Sequence, residues 1–403
     1  MSPARRGYAA LALLGVLALL AAGCGSSGES VTVDLDGVPP VDTRTASVPL
    51  EEIVFDTFEG SPEAPAPRFV PLPDASRPFR RSLLDRIRPV YAPVYGDAAG
   101  LAWLADDDLV LGYESGDDAY AYPVKVLDRR ELVNDEIDGV PLLVTYCPLC
   151  ASAVVYDRRL GDGRTLLFGN TSALFESDLI MFDHQTGSYW FQVRGEAIVG
   201  QLTGARLRPL PSATMTWAAW QGLHPGTRLL VADGQDAFDR SFALDAYAGY
   251  ADRIEDGRFS APVTESRLDR RLRASEVVIS VEVDGVAKAY APALIGDGVV
   301  GDEVGGAPIV VVSREAGFAS AFRATLDGEA LAFTLEDGVL RDAQTGSEWD
   351  DAGRAVAGPL AGARLEPLPV RRALWFSISL ADPGIEVVTD QADADSLSSR
   401  PPS

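Results

Sequence analysis

The sequence has few of the residues that most often carry enzyme chemistry. Its 403 residues include three cysteines and two histidines, His184 and His224. Structural zinc sites usually take four ligands from two close pairs, and this chain offers a single close cysteine pair, Cys147 and Cys150. Phosphate-binding loops, dinucleotide fingerprints, nucleophile elbows and His-Glu-x-x-His motifs do not occur. These absences argue against nucleotide cofactors and the common hydrolases.

Positive charge is also scarce. The chain has 35 Lys and Arg against 59 Asp and Glu, which gives a net charge of −24, and only Lys125 and Lys288 are lysines. An acidic surface repels phosphate backbones, so we expect no nucleic-acid partner. The hydrophobic fraction of 47% and the length indicate a globular protein of two or three domains, which we expect to be a monomer.

The N-terminus predicts a membrane anchor. Arg5 and Arg6 precede an apolar run, residues 9–22, that is too short for a comfortable membrane span. The run ends Leu20-Ala21-Ala22-Gly23-Cys24, which resembles a bacterial lipobox. We therefore predict a lipoprotein signal peptide over residues 1–23 and lipidation of Cys24. The protein would then be held at the extracytoplasmic face of the cell membrane; the alternative is an ordinary secretory peptide with an incidental cysteine.

An internal duplication organises the rest of the chain. Gln185-Thr186-Gly187-Ser188 recurs as residues 344–347, with Trp190 matching Trp349, and Gly204-Ala205-Arg206-Leu207 recurs as residues 362–365. Short alternating apolar runs separated by Gly, Asp and Pro predict a mainly β fold, a β-rich α+β class with short helices. We predict two tandem homologous β domains, residues 76–232 and a degenerate copy over 276–389. A flexible Pro-rich tether over 24–75, a connector over 233–275 and a disordered tail over 390–403 complete the division.

The two copies differ in one stretch. Cys147 and Cys150 fall opposite Arg314 and Gly317. The difference in residue number between matched positions of the two copies falls from 165 at Phe168 to 159 at Gln185. The first copy therefore has six extra residues within Gly169–Met181. His184 falls opposite Ala343. Features found in one copy alone are more often functional than architectural, and we place the candidate site here.

The Cys147-Pro148-Leu149-Cys150 motif allows three interpretations. The first is a site for a transition metal ion (zinc, copper or iron) with Cys147, Cys150 and His184 as ligands, or with a nearby carboxylate in place of the histidine. The second is a redox dithiol, although the following residues predict a strand and not the helix that usually lowers a thiol pKa. The third is a structural disulfide, or two buried side chains, in a non-catalytic scaffold. Glu176 and Asp178 are candidate acid–base carboxylates, and we interpret His224, in a turn before Pro225, as structural.

These interpretations share a geometric prediction. We expect Cys147 and Cys150 at the end of a strand, with the insertion folded back over them. At least one polar side chain should then lie within roughly 6 Å of a cysteine sulfur, a charge-coupling range. The candidates are Asn170, Ser172, Glu176, Ser177, Asp178 and His184.

The same stretch carries a family resemblance. The motifs are Val133-Asn134-Asp135, Thr145–Cys150, Phe168-Gly169, Met181–Thr186 and Gly195–Gly200, and they resemble the bacterial and archaeal family named domain of unknown function 3179. The resemblance covers about residues 80–380. It implies the identity of the domain and carries no activity with it, so a module that binds an envelope protein, peptide or glycan stands as the competing hypothesis.

Overall fold

The structure, a computed structural model, describes residues 33–58, 68–96, 101, 103–234, 236–243, 247–314 and 318–389. Strands account for 43% of the residues and helices for 15%, with six short α-helices among the described residues, which confirms the mainly β prediction. The predicted signal peptide, Cys24 and the predicted tail lie outside the described residues. Among those described, no helix is both long and apolar enough to cross a bilayer.

The first half begins with strands that precede or surround the cysteine motif. They are β1 (Ile53–Asp56), β2 (Phe69–Pro71), β3 (Pro93–Gly96), β4 (Leu109–Ser115), β5 (Asp118–Pro123), β6 (Leu132–Ile137), β7 (Val140–Cys147), β8 (Ser152–Asp157), β9 (Phe168–Phe175), β10 (Asp178–Asp183), β11 (Tyr189–Phe191), β12 (Glu196–Val199), β13 (Arg208–Leu210), β14 (Ala213–Thr216), β15 (Arg228–Asp233) and β16 (Asp236–Ala237). Helices α1 (Arg77–Leu83), α2 (Val124–Arg130) and α3 (Trp217–Leu223) lie among them, and α4 (Tyr250–Glu255) follows in the connector.

The second half of the described chain contains the remaining strands. They are β17 (Val277–Val283), β18 (Val286–Tyr290), β19 (Gly298–Val304), β20 (Ala307–Arg314), β21 (Phe318–Arg323), β22 (Thr325–Leu326), β23 (Glu329–Ala330), β24 (Phe333–Glu336), β25 (Val339–Asp342), β26 (Glu348–Trp349), β27 (Ala355–Ala357), β28 (Val370–Leu374) and β29 (Glu386–Val388). Two helices, α5 (Pro292–Ile295) and α6 (Trp375–Ala381), accompany them, and short 3-10 turns lie at Leu50–Glu52, Gln192–Arg194, Arg240–Ala243 and Glu265–Arg267.

The two halves share a sheet and a core. One eight-stranded sheet runs in the order β29-β18-β17-β28-β8-β7-β6, with β13 paired to β8, and the two halves meet where Arg372 pairs with Ala153. One hydrophobic cluster likewise combines Phe55 and Phe182 with Trp375. The predicted boundary over residues 233–275 therefore does not separate two independent cores, because strands and side chains of both halves bury each other's apolar surface.

The predicted tether is too long. Strand β1 lies inside a six-stranded sheet of order β12-β11-β10-β9-β1-β2, where it pairs with both β9 and β2. Its residues Ile53 and Phe55 are fully buried. The prediction of a flexible segment over 24–75 is thus wrong for β1. Its apolar residues form a strand despite the prolines nearby, because β9 and β2 pair with it and bury its side chains.

Matched local structures recur in the two halves. The indole Nε1 of Trp190 donates to Asp183 Oδ2 at 3.0 Å, and that of Trp349 donates to Asp342 Oδ2 at 3.0 Å. The repeated Gln-Thr-Gly-Ser sequences form the turn between each pair, with a Thr backbone N–H donating to the Asp at 2.6 Å in both. These shared residues are parts of the framework. The duplication itself stays a prediction from the sequence.

Candidate functional site

The two cysteines lie on a tight turn at the end of a strand. Strand β7 ends at Cys147 and β8 begins at Ser152, and the Cys150 N–H donates to the Cys147 carbonyl at 3.1 Å. Ala151 closes the turn with φ of 47°, a left-handed conformation that is uncommon for a residue with a side chain. The predicted position of the cysteines at a strand end is confirmed.

The insertion folds back over this turn as a hairpin. Strands β9 and β10 are antiparallel, and the two residues between them, Glu176 and Ser177, have φ of 50° and 61°. Two consecutive left-handed residues are typical of the tight hairpin turns whose twist matches the flanking strands. The Cys150 thiol donates to the Ser177 carbonyl at 3.3 Å, so the hairpin turn lies directly against the cysteines.

Asp178 completes a cluster of three ligand atoms. The sulfur atoms of Cys147 and Cys150 and a carboxylate oxygen of Asp178 all lie within 4.8 Å of one another. The predicted polar neighbour of the cysteines is therefore Asp178, the first residue of β10. All three side chains are buried, with at most 1% of each residue exposed.

The cysteines are free thiols. They lie 3.6 Å from each other, compared with about 2.0 Å between the sulfurs of a disulfide. The interpretation of the pair as a structural disulfide is wrong for this structure. A structural role for the thiols would have to come from packing alone.

Burial controls the ionisation of the cluster. It raises the pKa of Cys147, and it raises that of Cys150 well above the usual thiol range, with the neighbouring Cys147 thiol adding to the rise. Burial also raises the pKa of Asp178 to about 6, although the backbone N–H groups of Val193 and Leu179 donate to its carboxylate at 3.1 and 2.8 Å. Without a bound metal, the cluster at neutral pH thus consists of two neutral thiols beside a largely ionised carboxylate.

A second buried carboxyl, Glu131, lies next to this cluster. It ends helix α2 with φ of 59°, is 6% exposed, and accepts a short hydrogen bond from the Asn170 side chain on β9. Burial raises the pKa of Glu131 to about 8, and the negative charge of Asp178 contributes to the rise. Glu131 is therefore mostly protonated at neutral pH and adds no charge to the site.

Asn134 of the Val-Asn-Asp motif holds the hairpin in place. Its side chain donates to the Phe168 carbonyl at 2.8 Å and accepts from the Phe168 N–H at 2.9 Å. These two hydrogen bonds connect β6 to the start of β9. Asn134 is thus a positioning residue for the hairpin that carries Asp178.

Glu176 does not join the cluster. Its carboxylate accepts from the Thr264 N–H at 2.6 Å and pairs with Arg267 at 3.0 Å, which also binds Glu52. The side chain therefore faces the connector, and its contacts tie the hairpin turn to that segment. The sequence interpretation of Glu176 as an acid–base group finds no reacting partner among the described residues.

His184 lies at the opposite end of β10 from Asp178. The two residues are six positions apart along the strand, roughly 20 Å at the rise of a β-strand. Its Nε2 lies 3.1 Å from the Tyr91 hydroxyl, which donates to Asp85 at 2.6 Å. Burial lowers the pKa of His184 to about 4. The predicted Cys147, Cys150 and His184 ligand set is wrong, because an extended strand carries the histidine away from the cysteines.

The other polar candidates support the hairpin. Ser172 donates from its hydroxyl to the Leu83 carbonyl at 2.9 Å, and Asn170 accepts from the Ser172 N–H at 2.6 Å. Asn170 also binds Glu131, as described above. Sequence reasoning missed Glu131 as part of this site; the signal available was its position two residues before Val133 of the Val-Asn-Asp motif.

The connector closes the site. Tyr250 and Ile254 of α4 and Phe376 of α6 belong to the same hydrophobic cluster as Cys147 and Cys150. Beneath the cysteines, the Gln192 side chain donates to the Thr145 hydroxyl at 2.7 Å and accepts from the Ser152 hydroxyl at 2.6 Å. The cluster is therefore enclosed by side chains from the first half, the connector and the second half.

Comparison with known proteins assigns the family. No curated protein and no solved structure matches the chain. A family model described as protein of unknown function (DUF3179) matches residues 84–383, which include every residue of the cluster. The match covers well over half of the 403 residues, so the chain belongs to the DUF3179 family.

Proposed function

We propose that Cys147, Cys150 and Asp178 bind a transition metal ion. The observation that carries this proposal is the convergence of their three ligand atoms within 4.8 Å in a buried site. Two thiolates and a carboxylate are ligands that zinc, copper and iron accept. Asp178 is thus the third ligand, for which the sequence offered either His184 or a nearby carboxylate.

The spacing of the cysteines favours metal binding. Two sulfurs that each lie about 2.3 Å from a tetrahedral metal are about 3.8 Å apart. The observed separation of 3.6 Å is close to this value, so the turn needs little rearrangement to hold an ion. A metal would also reverse the effect of burial on the thiols, because its charge stabilises the thiolate form and coordination releases the protons.

Two hydroxyl groups stand near the proposed ligands. Those of Ser177 and Ser377 are buried; Ser377 interacts with the Cys150 thiol, and Ser177 interacts with the Tyr250 hydroxyl. A metal-bound water or an exogenous ligand at the open fourth position would have these hydroxyls as polar neighbours.

A reversible dithiol is the second candidate function. Two free thiols lie 3.6 Å apart beside Asp178, whose pKa of about 6 allows its carboxylate to accept a proton from a thiol. In oxidation, the two thiols would lose two protons and two electrons to a disulfide-bearing partner, which would be reduced to two thiols. The burial of both sulfurs opposes direct attack by a partner protein, so we rank this candidate below the metal site.

Metal analysis of the intact protein tests the proposal. Protein purified under reducing, anaerobic conditions and offered zinc, copper(I) or iron(II) should retain about one ion per chain after desalting. Retention of no metal would contradict the proposal. Thiol counting then separates the alternatives: a Cys147–Cys150 disulfide that forms and is reduced reversibly supports the dithiol, and two unreactive thiols support the non-catalytic scaffold.

We further propose that Cys24 anchors the protein to the extracytoplasmic face of the membrane. The basic residues Arg5 and Arg6, the apolar run and the small residues before Cys24 support this. In cells fed a labelled lipid precursor, the wild-type protein should carry the label and fractionate with membranes, and Cys24→Ala should do neither. A Cys24→Ala protein that still labels would refute the assignment.

A further inference from the structure

A cavity lies where the two halves of the molecule meet, away from the cysteine cluster. Its volume is about 260 Å³. Strand β4, the start of β14 and helix α3 form the side contributed by the first half, and β21 with residues 351–368 forms the other. The lining combines apolar surface from Met215, Trp220 and Leu368 with a few polar groups, an arrangement typical of small-molecule sites.

The matching position in the second half is filled by a side chain. In the first half Ala213 on β14 pairs with Gly112 on β4; in the second half Arg371 on β28 pairs with Ser280 on β17. A helix follows each closing strand, α3 in the first half and α6 in the second, and the two helices end in nearly the same conformation. His224 ends α3 with φ −133° and ψ 72°, and Asp382 ends α6 with φ −126° and ψ 78°. In each half, the strand pair and the end of the helix that follows it therefore have the same backbone arrangement, which we call a frame. The first-half frame has Ala213 at the position where the second-half frame has Arg371.

The filled frame shows how a guanidinium is held there. Arg371 Nη2 lies 2.6 Å from Asp382 Oδ2, donates to the Ser280 hydroxyl at 2.9 Å, and lies 3.8 Å from Glu282 Oε2. The side chain is only 9% exposed. An arginine is thus buried between a strand and a helix end by two carboxylates and a hydroxyl.

The first-half frame keeps one carboxylate, has a histidine in place of the other, and has Gly112, covered by the Trp220 indole, in place of the serine. Glu114 occupies the position of Glu282, two residues beyond the Gly112 and Ser280 pair, and His224 occupies that of Asp382. His224 is 8% exposed, lines the cavity, and its Nε2 makes no hydrogen bond within the described chain, as is also true of the Ser212 hydroxyl. Burial lowers the pKa of His224, so its imidazole is neutral at pH 7 and can accept a hydrogen bond through Nε2.

Glu114 retains an oxygen for a ligand. Its Oε2 pairs with Arg364 at 2.5 Å, and its Oε1 lies 3.8 Å from His224 Nε2. A carboxylate can serve two guanidinium groups, as Glu196 does for Arg194 and Arg206 in this molecule at 3.2 and 2.9 Å. The pairing with Arg364 therefore leaves Glu114 able to bind a second cation.

We infer that this cavity binds a small guanidinium compound, an arginine-like organic cation with an aliphatic chain. Its guanidinium would lie in the cavity beside the Trp220 indole, which covers Gly112 and packs on His224, and would donate to Glu114 and His224 Nε2. Its chain would lie along Met215, Trp220 and Leu368. A planar group with five donors suits convergent acceptors better than a compact ammonium does.

Calorimetry on the full chain with agmatine tests this inference. Agmatine carries a guanidinium and a primary ammonium at the two ends of a butyl chain, and (4-aminobutyl)urea keeps the chain and the ammonium but has a neutral planar end. We expect saturable agmatine binding and at least about tenfold weaker binding of (4-aminobutyl)urea, since the charge-assisted hydrogen bonds of the guanidinium are lost. Absence of saturable agmatine binding, or equal binding of the two compounds, would overturn the inference.

Substitutions at the cavity test where agmatine binds, and we expect them to change its affinity in opposite directions. Glu114→Gln should weaken agmatine binding about tenfold, and Glu282→Gln, the same change in the filled frame, should leave it unchanged. His224→Asp should strengthen binding about tenfold, because it supplies the carboxylate that Asp382 supplies to Arg371. Ala213→Arg should abolish binding by placing a guanidinium in the cavity. If Glu114→Gln and His224→Asp both bind agmatine as the wild type does, the cation lies elsewhere and the inference fails.

Discussion

Replacing Cys147 and Cys150 together with serine is expected to lower metal affinity by about ten thousandfold. Four ligands of a zinc site share about 10–16 kcal/mol, so each thiolate contributes about 3 kcal/mol, or roughly a hundredfold in affinity. Serine keeps a polar atom of similar size and loses the soft, easily ionised donor. The measurement is competition with a chelator of known affinity, followed at equal protein concentration.

Two further variants make this experiment specific. Cys24→Ser removes the remaining cysteine of the chain and should leave metal affinity unchanged. Asp178→Asn, which replaces the charged donor with a neutral amide, should weaken binding by about 10–100-fold. Thermal unfolding without metal shows whether each variant is folded. A double serine variant that is folded and binds metal as tightly as the wild type would rule out this ligand set.

Replacing Glu131 with glutamine should make the protein more stable in alkali than the wild type. The pKa of Glu131 is about 8 in the folded protein against 4.5 for an unperturbed glutamate, so the folded state binds its proton more tightly than the unfolded state does. The stability that depends on this proton is fully present below pH 4.5 and is lost as the pH rises to 8. Because each pKa unit corresponds to about 1.4 kcal/mol, the loss reaches roughly 5 kcal/mol as an upper bound.

Glutamine imitates the protonated side chain, since its carbonyl oxygen can still accept from Asn170. Urea unfolding at pH 5 and pH 9 should therefore give similar free energies of unfolding for wild type and Glu131→Gln at pH 5. At pH 9 the variant should be more stable by a few kcal/mol. The exposed Glu329→Gln is the matched control and should follow the wild type at both pH values. Parallel pH profiles for Glu131→Gln and wild type would show that the carboxyl does not titrate as burial predicts.

The protonation state of Glu131 affects the total charge of the proposed metal site. Glu131 and Asp178 are both buried, and the charge of each opposes ionisation of the other. With Glu131 protonated, the site presents two thiols and one carboxylate, which gives a bound divalent ion a total ligand charge of −3 once both thiols ionise. An ionised Glu131 would add a further buried negative charge without a partner, and we expect its protonation to keep the cluster compact at neutral pH.

The local elements could be read from the sequence because their causes are local. Alternating apolar residues bounded by glycine, proline and aspartate predict strands, and they form at Val140–Cys147, Ser152–Asp157 and Asp178–Asp183. The position of Cys147 at a strand end followed from the same pattern. The insertion in the first copy also indicated where the polar cover of the cysteines would come from.

The local sequence pattern could not decide whether Asp178 or His184 lies beside the cysteines. Both lie near the insertion in sequence, but the hairpin turn is at Glu176 and Ser177, so one end of β10 meets the cysteines and the other is carried away. The register of the hairpin and its attachment through Asn134 decide which end that is. A shift of register depends on pairing with distant strands, which a local pattern does not encode.

What the sequence determined by itself is therefore the β class, the strands on either side of the cysteine turn, and the stretch where the candidate site lies. Only the tertiary structure decided that β1 enters a sheet, that the halves share one core, and that Asp178 meets the cysteines with Glu131 near enough to act on them electrostatically. It alone placed Ala213 and Arg371 in equivalent frames, one open and one filled. The physical reason is that strand formation follows from neighbouring residues, whereas burial, shifted pKa values and cavities arise where segments far apart in the chain exclude water together.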